Sequence, residues 1–186
     1  MIVDERASDL DVVVALLNTY DAYDSRPERL VGVASLKRLF ARLGWTDVAT
    51  SRLTKRDVAA VKALREQVRE IFAYLVEGDA AAAAQACNDL LLRVRPVLAL
   101  YPAAQRTVLG VTDGDSDAVR RLEERVSVAV AIGLASPNIR LGLCDAHPCR
   151  CAYVDRSRAG TRRFCCELCA DRFAAAAYRR RKKDAL

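Results

Sequence analysis

The chain has 186 residues, of which 52% are hydrophobic and 29% charged, a balance that fits a globular fold and excludes a disordered or fibrous chain. Its formal net charge of +6 is uneven: residues 1–140 carry 19 basic and 19 acidic side chains, and residues 141–186 carry 11 and 5. A neutral body with a basic appendage is therefore expected.

Asp9–Asp24 reads as a first helix, with Leu10, Val13, Val14 and Leu17 on one apolar face. It runs into the polar cluster Asn18-Thr19-Tyr20-Asp21. The plainer reading of that cluster is a helix end where short side chains bond free backbone groups. The functional reading makes Asn18, Thr19 and Asp21 a ligand or interface site. Ser35 is the expected cap of a second helix, with Leu36, Leu39, Phe40 and Leu43 inward and Gly44 after its end. Trp45 reads as a core anchor. Thr54 and Asp57 form a capping-box pattern ahead of Val58, Val61, Leu64, Val68, Phe72 and Leu75, and Gly78 closes that helix. Asp79 then caps an alanine-rich helix through Val94 that carries Cys87 as a core residue.

Beyond Pro96, Val97–Tyr101 and Arg106–Val111 are expected to pair as a β-hairpin. Asp113-Gly114-Asp115 reads as a turn, and Ser116 as the cap of a helix reaching Ser136 with Leu122, Val126, Val130 and Gly133 inward. Ile139–Leu143 reads as extended. The fold class is thus mainly α with a β-hairpin (α+β). It comprises a helical N-terminal domain, residues 1–137, and a small C-terminal unit, residues 138–186, whose six cysteines suggest a zinc finger. The body holds no histidine, no Gly-rich phosphate loop, no nucleophile elbow and no HExxH, so no enzyme is expected.

Six of the seven cysteines, and the single histidine, fall after Leu143. The pairs Cys144-x4-Cys149 and Cys165-x3-Cys169 supply four soft ligands for one structural Zn²⁺, and four thiolates leave no open position for a catalytic water. Cys151, Cys166 and His147 are rival ligands. Clustered pairs without an apolar leader at Met1–Asp11 read as metal ligands in a cytoplasmic chain rather than as disulfides. The longest apolar run, Val126–Ala135, is too short to span a bilayer. Between the pairs, two extended pieces joined by a turn over Asp155–Gly160 would set Tyr153 and Phe164 beside the metal. The second pair opens a helix ending in Arg179-Arg180-Arg181-Lys182-Lys183, on which Arg172, Arg179 and Lys183 share a face. A knuckle feeding a basic helix points to nucleic acid; a solvated basic tail at a helix C-terminus is the plainer alternative.

These residues resemble a known family, bacterial proteins that pair an ABATE domain with a C-terminal CGNR zinc finger. The resemblance runs through Cys144, Cys149, Tyr153, Asp155, Ser157, Arg158, Arg162, Arg163, Phe164, Cys165 and Cys169-Ala170-Asp171-Arg172, and Leu17-Asn18-Thr19-Tyr20-Asp21 looks like the family's Asn-Thr-x-Asp signature. Asp171 stands where the family has Asn, and Cys166 where it often has Ser. The resemblance implies a stress-response transcription regulator whose first domain senses a small-molecule effector and whose finger binds DNA. Arg162, Arg163, Arg172, Arg179, Arg180, Arg181, Lys182 and Lys183 are then the nucleic-acid-binding candidates. A homodimer is compatible with this reading. The alternatives are a protein-interaction module that docks an acidic partner, and a redox or small-molecule sensor that does not touch DNA. RNA is disfavoured because Tyr178 is the one aromatic placed for base stacking in the basic helix.

Overall fold

A computed structural model describes residues 9–45, 52–103, 106–112 and 117–184. Among these are α1 (Asp9–Leu17), α2 (Val33–Arg42), α3 (Lys55–Val76), α4 (Ala80–Val94), β1 (Leu98–Ala103), β2 (Arg106–Val111), α5 (Ala118–Ala135), β3 (Arg140–Leu143), β4 (Ala152–Asp155) and α6 (Glu167–Asp184). The architecture is mainly α with two separate antiparallel two-stranded sheets, β1–β2 and β3–β4. No helix among the described residues is long and apolar enough to cross a membrane.

The helices form where the apolar spacing demands them. In α3, Val58, Val61, Leu64, Val68 and Phe72 are buried in one stripe, as expected, with Ile71 beside them. Thr54 Oγ1 accepts from Asp57 N–H, and Asp57 Oδ2 accepts from Thr54 N–H at 2.6 Å, completing the capping box. Gly78, at φ +80°, closes the helix in the left-handed region. Asp79 caps α4 through Ala82 N–H, and Cys87 lies buried in the core. Trp45 stacks on Phe40 with ring centroids 5.7 Å apart and is a core anchor. In α5, Leu122, Val126, Val130 and Gly133 are all buried.

Four expectations shift. The first helix stops at Leu17, not Asp24, because Thr19 Oγ1 donates to Leu16 O at 2.6 Å and ends the ladder. Tyr20 then bridges to Glu28. Ser35 is not the cap of α2 but its third residue: the cap is Gly32, whose N–H donates to Ser35 Oγ. The first hairpin strand is Leu98–Ala103, starting one residue and ending two residues later than expected. The cap of α5 is Asp117, which accepts from Val119 and Arg120 N–H; Ser116 and the 113–115 turn lie outside the described residues.

The β3–β4 hairpin positions the functional site. It pairs Leu141 with Val154 and Gly142 with Tyr153. Leu141, Leu143, Ala152 and Val154 are buried within the helical core, with β3 against α3 and α5, and β4 against α1. Gly133 lets this happen: a Cβ there would lie 3.1 Å from Leu10 and 3.2 Å from Leu141. Gly142 has a sharper role. A Cβ on it would meet the Tyr153 ring at 2.7 Å, and that ring is held by its hydroxyl, which donates to Arg162 O at 2.6 Å. Gly142→Ala is therefore expected to displace Tyr153 and cost about 1–3 kcal/mol, read by chemical denaturation of the zinc-loaded protein.

Candidate metal centre and nucleic-acid interface

The first cysteine pair sits in the loop of the β3–β4 hairpin. Cys144 follows β3, and its N–H donates to Cys151 O at 2.9 Å, continuing the strand pairing. Within the loop Cys149 N–H donates to Ala146 O, and the His147–Pro148 peptide bond is cis. The second pair belongs to the other side of the site: Cys165 precedes α6 and Cys169 lies in its first turn. The extended pieces expected on either side of the Asp155–Gly160 turn are only half realised. Ala152–Asp155 is a strand, but its partner is β3, and residues 161–164 form no strand. The turn itself is as read: Asp155 accepts from Ser157 N–H and Arg162 N–H, Ser157 Oγ accepts from Gly160 N–H, and Gly160 has φ +57°. Those bonds hold the Asp155 carboxyl below its usual range, the Ser157 bonds first.

The Sγ atoms of Cys144, Cys149, Cys165 and Cys169 all lie within 4.8 Å of one another. The Cys149–Cys165 and Cys165–Cys169 separations are 3.8 and 3.5 Å. A tetrahedron with Zn–S bonds of about 2.3 Å places its sulfurs about 3.8 Å apart, so the cluster has the size of a Cys₄ zinc site. Cys144, Cys149 and Cys169 are buried, and Phe164 and Phe173 pack beside them with ring centroids 5.2 Å apart. The four residues fit one structural Zn²⁺. His147 and Cys166 are exposed and outside the cluster. Cys151 is buried, but it groups with Asp21 and Cys149 instead.

The thiols meet the metal from different starting points. Burial pushes Cys165 upward and Cys169 up to about 12. Burial acts the same way on Cys144, but hydrogen bonds from the Cys165 and Ala146 backbone and from the Cys165 and Cys169 side chains together outweigh it and lower that thiol. Metal uptake must therefore displace protons, and affinity falls as the medium becomes more acidic.

Three of the predicted nucleic-acid residues are engaged within the finger, although Arg162 and Arg163 remain exposed. Arg162 donates to Phe164 O, Val154 O and Cys165 O and lies over the Tyr153 ring. Arg163 pairs with Asp145 at 2.8 Å and covers the Phe164 and Phe173 rings. Arg172 Nη2 donates to Cys169 Sγ at 2.8 Å, and its guanidinium lies 3.4 Å from the Tyr23 ring centre. Its interaction with Tyr23, then with Cys169, raises its pKa. A cation held against a ligand thiolate orients the ligand and offsets the negative charge of a Cys₄ site. Arg179, Arg180, Arg181, Lys182 and Lys183 are exposed along the distal half of α6. Tyr178 is exposed as well.

Asn18, Thr19 and Asp21 form the seam between α1 and the hairpin. Asn18 Nδ2 donates to Ala152 O at 3.0 Å and Asn18 Oδ1 accepts from Ala152 N–H at 2.7 Å. Thr19 also accepts from Arg65 Nη1. Asp21 accepts from Tyr23 N–H and pairs with Arg29 at 3.6 Å. The cluster thus ends the helix through Thr19 and ties α1 to β4 within the chain through Asn18.

Sequence reasoning missed Arg65, Arg69 and Tyr23. Arg65 is 4% exposed, with its fork on Glu28 at 3.0 and 2.9 Å and its Nε on Glu66 at 2.8 Å. Burial raises the Glu28 carboxyl, but the Arg65 bonds outweigh it and hold it at about 2. The signal was present: Arg65 lies four residues after Val61 and seven after Val58, on the inward stripe of α3. Tyr23 gave no such signal, because its partner is 149 positions away in sequence.

A family model described as "Putative stress-induced transcription regulator", ABATE, matches residues 10–137, and one described as a CGNR zinc finger matches residues 140–182. No curated protein matches the chain.

Proposed function

Because the chain belongs to the ABATE family and carries a CGNR zinc finger, we infer that it is a zinc-dependent transcription regulator of the cytoplasm. In this reading residues 138–186 bind DNA and residues 1–137 sense a small-molecule effector. The observation that carries it is the position of α6. The metal cluster grips the helix by its first turn, and its distal half presents five consecutive basic side chains to solvent. Bound there, Zn²⁺ would be structural and would fix the direction in which the helix leaves the body.

The chain's own residues divide the work. Arg162, Arg163 and Arg172 shape the finger, and Arg179–Lys183 supply attraction to phosphates. Their reach is sequence-independent, so discrimination between DNA sequences would come from the proximal exposed face of α6. Asp171 is exposed on that face. Asp171→Asn is expected to tighten DNA binding severalfold at low salt, since it removes a charge that repels phosphate. The deciding experiment is capture of genomic DNA fragments by the zinc-loaded protein with and without a chelator. Enrichment that disappears on chelation supports the reading. Capture of an acidic protein, with no DNA retained at low salt, would replace it by an interaction module.

A further inference from the structure

Among the described residues, a concentration of buried positive charge lies away from the metal, at the seam between α1, α3 and the hairpin loop. A cavity of about 400 Å³ is lined there by Tyr20, Ala22, Arg65, Glu66, Arg69 and Arg150. Arg65 is almost wholly enclosed, and Arg69 is 17% exposed. Both guanidinium groups face the Tyr20 ring, 5.5 and 5.8 Å from its centre.

The two arginines differ in how they are neutralised. Arg65 has Glu28 and Glu66 in direct contact. Arg69 has no such partner. Its Nη1 and Nη2 donate to the carbonyls of Arg150 and Leu17, and its nearest carboxylate, on Glu66, is 3.8 Å from Nε. Arg69 Nε is buried with no hydrogen-bond partner. A buried donor left unsatisfied is costly, and the long pairing with Glu66 does not satisfy it. Burial, together with the neighbouring Arg65 and Arg150 charges, depresses the Arg69 guanidinium against the pull of Glu66. Glu66 is the one carboxylate lining the cavity. It is 58% exposed, so it stands at the mouth and partly fills the role of an anion.

We propose that this cavity is an effector site and that it takes a small anion, a carboxylate or a phosphate, held by Arg69 and Arg150 against the Tyr20 ring. A guanidinium suits either anion; Arg150, an exposed residue, would supply the contact, and Arg69, its Nη atoms already donating to carbonyls, the buried charge beside it. The volume admits a small metabolite rather than a polymer. The proposal rests on the effector-sensing half of the function inferred above, and on none of its DNA half. Occupancy would be felt at the metal centre, because Arg69 ties α1 to the hairpin loop and Cys149 is the residue before Arg150.

The test is calorimetric titration of the zinc-loaded full chain, without DNA, using sodium malonate in one arm and inorganic phosphate in the other. Saturable binding of malonate, of phosphate or of both is expected, and the arm that saturates more tightly identifies the anion class. Arg150→Glu alters an exposed side chain and is expected to weaken binding about tenfold or more. Glu66→Gln is expected to tighten it, because the internal competitor is gone. Joint replacement of Arg179, Arg180 and Lys183 by Ala should leave it unchanged. No saturable binding of either anion overturns the proposal. So does binding that survives Arg150→Glu and Glu66→Gln unaltered, or that is lost only with the α6 arginines. Loss of DNA capture with anion binding intact would count against the DNA half alone.

Discussion

Replacing Cys144 by Ser is expected to abolish zinc binding and DNA capture together while the helical body stays folded. Structural Cys-rich zinc sites are worth roughly 10–16 kcal/mol of apparent binding energy in finger peptides, far more than the side-chain contacts of this finger can supply. A hydroxyl is a poor ligand at neutral pH, and Cys144 is a buried member of the cluster. The two halves of the site belong to different elements: Cys144 and Cys149 to the hairpin loop, Cys165 and Cys169 to the start of α6. Without the metal, the contacts that hold α6 include Phe164–Phe173, Arg163–Phe173 and Arg172–Tyr23. Helical circular dichroism should therefore fall by no more than the share of this 18-residue helix, since α1 to α5 have their own core. Metal analysis supplies the controls. Cys87→Ser and Cys151→Ser should retain full zinc, because Cys87 lies in the helical core and Cys151 lies outside the tetrad. Full zinc in Cys144→Ser, with loss in Cys151→Ser, would show the ligand set to be wrong.

The second large effect concerns the distal half of α6. If about five of its basic side chains each neutralise a phosphate, log K should fall against log[salt] with a slope of roughly −4 to −5. Between 50 and 200 mM salt the affinity would then drop about 500-fold. Replacing Arg179, Arg180 and Lys183 by Ala should make the slope shallower by roughly 3, so that the same change in salt costs only about tenfold. At a fixed salt near 0.15 M the variant should bind about 100-fold more weakly, and equally so for all sequences. These side chains are exposed, so zinc content and thermal stability should not change. A variant with an unchanged salt slope would place the phosphate contacts elsewhere. Arg172 is a different case. Its guanidinium lies on Cys169 Sγ and Tyr23, so Arg172→Ala should disturb the metal site as well as any DNA contact.

Legibility in the sequence followed the range of the interactions. The stripe of α3, its capping box and the Gly78 stop are set by neighbours within four residues, and all were readable. So were the cysteine pairs, because ligand spacing is a local constraint even though the pairs meet across 16 residues. The β3–β4 pairing was not, because the eye follows the Gly160 turn, whereas the true hairpin loop is the knuckle itself. The contacts that Arg162, Arg163 and Arg172 make within the finger were equally hidden. A run of arginines near a zinc site reads as charge for a polyanion until the carbonyls, rings and sulfur that hold each one are seen. Arg65 was legible by position on the helix, but its charge argued for a solvated face, and only the Glu28 fork explains the burial.

The double hydrogen bond from Asn18 to Ala152 bears on transplantation of the finger. The Asn18 carboxamide serves the backbone of β4 as a third strand would, at a point where Leu141, Leu143 and Val154 are sheltered by helices. An excised piece starting at residue 138 would carry all four metal ligands yet lose that borrowed edge and expose an apolar hairpin face, inviting self-association. A graft of this zinc finger onto a foreign protein would need to take α1 and Asn18 with it, so the portable unit is larger than the stretch that binds the metal.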